Sequence, residues 1–102
     1  MSIADSDIAF AREVFQDIPG LSHRKMFGGI CLYSEDTVFA LASSDGRLYL
    51  KAKGALAESL SDGGAEQFHN MPYWSLPEDL LDDPERACEL ARDTLQMLKE
   101  DE

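Results

Sequence analysis

Between Arg24 and Ala52 the apolar residues keep a period of two, and no other feature limits the possible folds of this chain as strongly. Side chains alternate across a strand, so this run predicts sheet and excludes an all-helical fold. Ile30 and Leu32 alternate with Cys31 and Tyr33. Phe39 and Leu41 alternate with Val38, Ala40 and Ala42, and Leu48 and Leu50 with Arg47, Tyr49 and Lys51. Ser34-Glu35-Asp36 can turn, and Ser44-Asp45-Gly46 is a hairpin signal, because glycine accepts the positive φ of a tight turn. The reading is a three-stranded antiparallel meander. Gly28-Gly29 reads as a bulge or bend in its first strand, where a side chain would obstruct the backbone.

Helical spacing brackets this run. Ile8, Ala11, Phe15 and Ile18 fall on one face, with Val14 beside them, and Pro19-Gly20 stops the segment. A short helix is predicted over Ala55 to Leu60, ended by Gly63-Gly64. Two short extended pieces follow, around Gln67-Phe68 and Tyr73-Trp74, with a turn at Asn70-Met71-Pro72. The last helix has the clearest start. Asp83 is a good N-cap and Pro84 occupies the first helical position, where proline is favoured. Ala87, Leu90, Ala91, Leu95 and Leu98 make its apolar stripe.

The expected fold class is α+β: a two-layer sandwich of helix, three-stranded meander, helix, two short strands and helix, with the helices mainly on one face of the sheet. A chain of 102 residues fits one domain, here residues 1–102. Phe15, Ile30, Leu32, Phe39, Leu41, Leu48, Leu50, Leu90 and Leu95 are its predicted core.

Charge narrows the partners. The net charge is −11, from 20 acidic and 9 basic residues. That opposes direct nucleic-acid binding, which needs cations to replace phosphate counterions, and binding to anionic membranes. The charge is also uneven. Arg24 to Lys53 holds five basic and three acidic residues, whereas Pro77 to Glu102 holds three basic and ten acidic. Cys31 and Cys88 are isolated among apolar residues and read as free thiols, and no signal peptide or membrane span is visible. A soluble cytoplasmic protein is expected.

Catalytic chemistry is not evident. Neither His23 nor His69 stands at the spacing of a known metal motif, so no metal and no cofactor are expected. There is no nucleophile elbow and no phosphate-binding glycine loop. Asp82-Asp83 is explained by helix capping. The chain is not expected to be an enzyme.

The order of motifs is informative. Met26-Phe27-Gly28-Gly29, Tyr33, Val38-Phe39-Ala40-Leu41 and Asp45-Gly46-Arg47-Leu48-Tyr49-Leu50-Lys51 resemble the TfoX (Sxy) N-terminal domain family. Met71-Pro72-Tyr73-Trp74, Leu76-Pro77-Glu78 and Leu81-Asp82-Asp83-Pro84 look like that family's second half. The resemblance runs roughly from Ile8 to Leu95 and is to a stand-alone, single-domain member. Gly64 to Met71 is shorter here than in the family pattern. The resemblance implies a role in transcriptional regulation of competence and DNA uptake, through a transcription-factor partner, the cyclic-AMP receptor protein. It marks Met26, Phe27, Gly28, Gly29, Asp45 and Gly46 as structural motif residues.

The candidate function is therefore a non-enzymatic regulatory module that binds a protein, either an acidic partner surface or a second copy of itself. If Leu48 and Leu50 point inward, Arg47, Tyr49 and Lys51 point to the opposite face, with Cys31 and Tyr33 and with Val38, Ala40 and Ala42. Arg24 and Lys25 add cations to this expected face, and Tyr73 and Trp74 add rings. The alternative is a small-ligand-binding domain with a pocket near Met26, Tyr73 and Trp74.

Overall fold

The structure is a computed structural model that describes residues 3–26, 28–69, 71–76 and 78–100. Phe27, one of the expected motif residues, lies outside the described residues.

Helix α1 (Asp5–Val14) leads into strands β1 (Leu21–Met26), β2 (Gly29–Ser34), β3 (Thr37–Ala42) and β4 (Leu48–Lys51). Helix α2 (Gly54–Asp62), strand β5 (Tyr73–Ser75), the short helix α3 (Glu78–Leu81) and helix α4 (Pro84–Glu100) complete the order. The sheet is five-stranded and antiparallel throughout, in the order β1-β2-β3-β4-β5. This is the expected α+β class. The predicted meander is β2–β4.

A further strand, β1, extends that meander. Gly28-Gly29 is not a bulge: Met26 pairs with Gly29, so Gly28 lies in the connection between β1 and β2. Gly28 there has φ +83°, the left-handed region that such a turn needs. The polar run Ser22 to Lys25 hid β1, because an edge strand can carry polar side chains on both faces. At the other end, the expected strand at Gln67-Phe68 reduces to an isolated bridge between Gln67 and Trp74.

One inserted residue decides which side chains of β3 enter the core. Leu32 pairs with Ala40 but Tyr33 pairs with Val38, so Phe39 is an extra residue in β3. This bulge sends Phe39 and Ala40 to the same side, and both are fully buried. From there Ala42 also faces the core, while Leu41 faces the other way beside Tyr49. The expected outward placement of Ala40 and Ala42 and inward placement of Leu41 are thus reversed. A strict period of two does not survive an inserted residue.

The core lies between this side of the sheet and helices α1 and α4. Phe15 meets Phe39 edge-to-face at 5.3 Å between ring centroids. Ile8, Ala11, Val14 and Ile18 close over Ile30, Leu32, Leu48 and Leu50. Helix α4 begins as the sequence indicates, with the Arg86 N–H donating to Asp83 Oδ1 at 3.3 Å. Its buried line is Ala87, Cys88, Ala91 and Thr94, with Leu90, Leu95 and Leu98 half-buried against the core. Small residues at the centre let the helix approach the sheet closely, and the leucines fill its margins. Among the described residues, no helix is long and apolar enough to cross a membrane.

Candidate functional site

The opposite face of the sheet carries most of the candidate site residues. Arg24 pairs across to Cys31 and Ser22 to Tyr33, which puts Ser22, Arg24 and Met26 on this face of β1. The Arg24 guanidinium lies 5.8 Å from the centre of the Tyr33 ring. Leu41 pairs with Tyr49 and Lys51 with Tyr73, extending the face to β4 and β5.

This face is only partly open. Leu41, Tyr49 and Tyr73 form a second apolar cluster, against which Phe68 packs from the loop before β5. Phe68 meets the Tyr49 ring edge-on at 4.9 Å. Tyr49 and Tyr73 are therefore 8% and 7% exposed, not the open aromatic surface expected from the sequence. Burial pushes the Tyr73 phenol upward in pKa. Among the described residues, Phe68 is the partly buried apolar side chain packed against this cluster. The signal for this cover was Phe68 itself, a large apolar residue between polar neighbours.

The other expected partner residues divide. Arg47 stands over Tyr49 at 5.7 Å, and its Nη1 reaches Glu66 Oε2 at 3.1 Å, so a carboxylate already engages it. Lys25 pairs with Ile30 and so belongs to the helix side of β1, away from Arg24. His23, on that same side, accepts a hydrogen bond at Nδ1 from Arg12 at 2.9 Å. Trp74 pairs with Leu50 and also belongs to the helix side. The structure thus brings together Arg24, Tyr33, Tyr49, Lys51 and Tyr73, and separates Lys25 and Trp74 from them.

Asp45 and Gly46 build the β3–β4 turn. The Asp45 carboxylate accepts from the Ser43 hydroxyl and from the Arg47 N–H, which holds its pKa below the usual value. Gly46 has φ +85°, and a Cβ there would lie 2.6 Å from the Asp7 carboxyl carbon. Both residues shape this turn.

Between the covering loop and the β1–β2 hairpin lies a cavity of about 390 Å³. Met26, Cys31, Leu41, Phe68, Met71 and Tyr73 contribute to its wall. It unites Met26 and Tyr73, as the small-ligand alternative requires, but excludes Trp74. Among the described residues, no three His, Cys, Asp or Glu side chains converge as a metal group would.

Both thiols are shielded. Burial pushes Cys31 and Cys88 upward in pKa, and Cys88 Sγ donates to the Val14 carbonyl at 3.3 Å. Thiolate is the reactive form. Cys31 is therefore expected to alkylate several-fold more slowly than a free thiol at neutral pH, and Cys88 only after unfolding. Mass spectrometry of iodoacetamide-treated native protein checks this, and rapid labelling of Cys88 would contradict its burial.

Comparison with known proteins places these features in a family. The DNA transformation protein TfoX1 of Aliivibrio fischeri (strain ATCC 700601 / ES114) is 40% identical over 48 residues. That match takes in 47% of this chain and 22% of TfoX1, so the chain spans about a fifth of the relative's length. A family model described as the TfoX N-terminal domain matches residues 13–98, from the end of α1 into the last turns of α4. The match takes in the whole sheet, the turn motifs and the covering loop, and the chain belongs to the TfoX N-terminal domain family.

Proposed function

We propose that this protein is a non-enzymatic regulatory module of the cytoplasm that acts in the control of competence by binding a transcription factor. The observation that carries the reading is the exposed corner of the sheet face, where Arg24 lies over Tyr33 beside Met26. Arginine and tyrosine are favoured at protein interfaces, and a stacked pair is already ordered before a partner arrives. Among the described residues no carboxylate forms an ion pair with this cation, and an acidic partner surface would supply one. Membership of a family that includes a DNA transformation protein supports the regulatory context. A second copy of the chain is the alternative occupant, although its net charge of −11 opposes self-association at low salt.

The informative change is Arg24→Glu with Tyr33→Ala. It avoids Tyr49, whose burial would confound binding with stability, and Arg47, which Glu66 already engages. Circular dichroism should be unchanged, while affinity for the purified transcription-factor partner falls about tenfold or more, as loss of an interface hot spot does. Unchanged binding of that partner removes this corner as the docking surface. Sedimentation of the same pair of proteins tests self-association. In a gel shift at physiological salt the chain alone should leave duplex DNA unshifted, since too few cations share one face. Salt-sensitive binding there would replace the protein-docking reading with a nucleic-acid one.

A further inference from the structure

The cavity on the sheet face gathers an unusual set of donor atoms. Cys31 Sγ lies 3.9 Å from Met26 Sδ. The two residues are diagonal neighbours, since Cys31 stands opposite Arg24, two positions from Met26. His69 and Met71 line the same cavity from the covering loop. Met26 and Met71 are 43% and 45% exposed, so burial in a core does not account for them. We propose that Cys31, Met26, Met71 and His69 form a binding site for one soft monovalent metal ion of the Cu(I) type. This inference is independent of the docking reading, and it gives the small-ligand alternative a specific content.

Three physical arguments converge. The first is donor chemistry: thiolate and thioether sulfurs select Cu(I) over hard cations, and imidazole is compatible with it. The second is spacing. Two metal–sulfur bonds of about 2.3 Å at a tetrahedral angle hold their sulfurs about 3.8 Å apart. The observed separation of Cys31 and Met26 is 3.9 Å. The third is charge. Among the described residues, no Asp or Glu lines the cavity. A monovalent ion with one thiolate leaves the filled site neutral, whereas a divalent ion would leave an uncompensated charge among apolar groups.

Binding is a ligand exchange without redox change. The Cys31 S–H bond breaks, a metal–sulfur bond forms, and the proton leaves to solvent. The two thioethers and the His69 imidazole donate lone pairs. Metal binding must displace the thiol proton of Cys31. Apparent affinity should therefore rise about tenfold per pH unit below the thiol pKa. The donors come from β1, β2 and a loop more than thirty residues later, which is why no sequence spacing announces them.

The test is a titration of the full chain with Cu(I), anaerobically under ascorbate, against a chromophoric Cu(I) chelator. A single retained ion per chain is expected, with a near-ultraviolet thiolate band that strengthens with pH. Cys31→Ser should abolish retention, and Met26→Leu and Met71→Leu should each weaken it about tenfold, the scale on which metal-site groups act. Cys88→Ser should leave it unchanged. The two Met→Leu variants preserve bulk and keep the test decisive if Cys31→Ser fails to fold. Absence of retained Cu(I), retention unaffected by Cys31→Ser and both Met→Leu changes, or equal retention of Zn(II) would overturn the metal site. A parallel titration with indole, followed by shifts of the Met71 methyl and Tyr73 ring resonances, separates the two failures. Shifts with indole but no Cu(I) retention leave an organic-ligand cavity and overturn the metal assignment. Neither response overturns both.

Discussion

Leu50→Ala is expected to destabilise the fold by about 2–5 kcal/mol, from lost burial and the cavity left behind. Leu50 is fully buried in β4, where it faces Ala40 across the ladder on one side and Trp74 on the other. Ala40 is already small, so it cannot expand into the vacated volume. The helices above are held by Phe15 against Phe39 and by the rest of the core, which limits collapse onto the gap. A domain of this size commonly has about 5–15 kcal/mol of stability in all, so the loss is a large fraction of it. Urea unfolding measures it. A change under about 1 kcal/mol would mean that Leu50 is not a core residue and that the two faces of the sheet are wrongly assigned.

Gly29→Ala should be at least as damaging, for a different reason. A Cβ at Gly29 would lie 2.2 Å from the Ala42 carbonyl oxygen and 3.2 Å from the Ser43 Cα. These are backbone atoms of the adjoining chain segment, so no rotamer change relieves the contact. Relief requires β2 and β3 to separate where Ile30 pairs with Ala42. Overpacking alone usually costs about 1–3 kcal/mol, and a clash with backbone belongs at or above the top of that range. Gly63→Ala is the matched control. Its φ is −80°, and a new Cβ there would meet the Leu60 carbonyl oxygen at an ordinary 3.5 Å. That change should be neutral or stabilising by up to about 1 kcal/mol, through a less flexible unfolded chain. Thermal melts of the two variants side by side check the pair. Equal, small shifts would show that β2 and β3 do not approach as closely as described.

The sequence by itself determined the elements whose signals are local. The α4 start at Asp83-Pro84, the β3–β4 turn at Asp45-Gly46 and the apolar alternation of β2 and β4 depend on neighbours within a few residues, and each is found where those neighbours put it. The family was legible for the same reason, since its motif blocks are contiguous. The faces of the sheet were not fully legible. One extra residue, Phe39, reverses the phase of β3, and whether a strand accommodates a bulge depends on the partner strand it must match. Strand β1 also needed its partner, because its own side chains give no alternation. The site was decided almost entirely by tertiary structure. Phe68 buries Tyr49 and Tyr73, Glu66 occupies Arg47, and Trp74 and Lys25 turn away from the face that the other candidates share. Each of these facts joins segments far apart in the chain. Local periodicity carries no information about which loop folds over which strand, and the burial of apolar surface that drives the loop onto the sheet exists only once both are assembled.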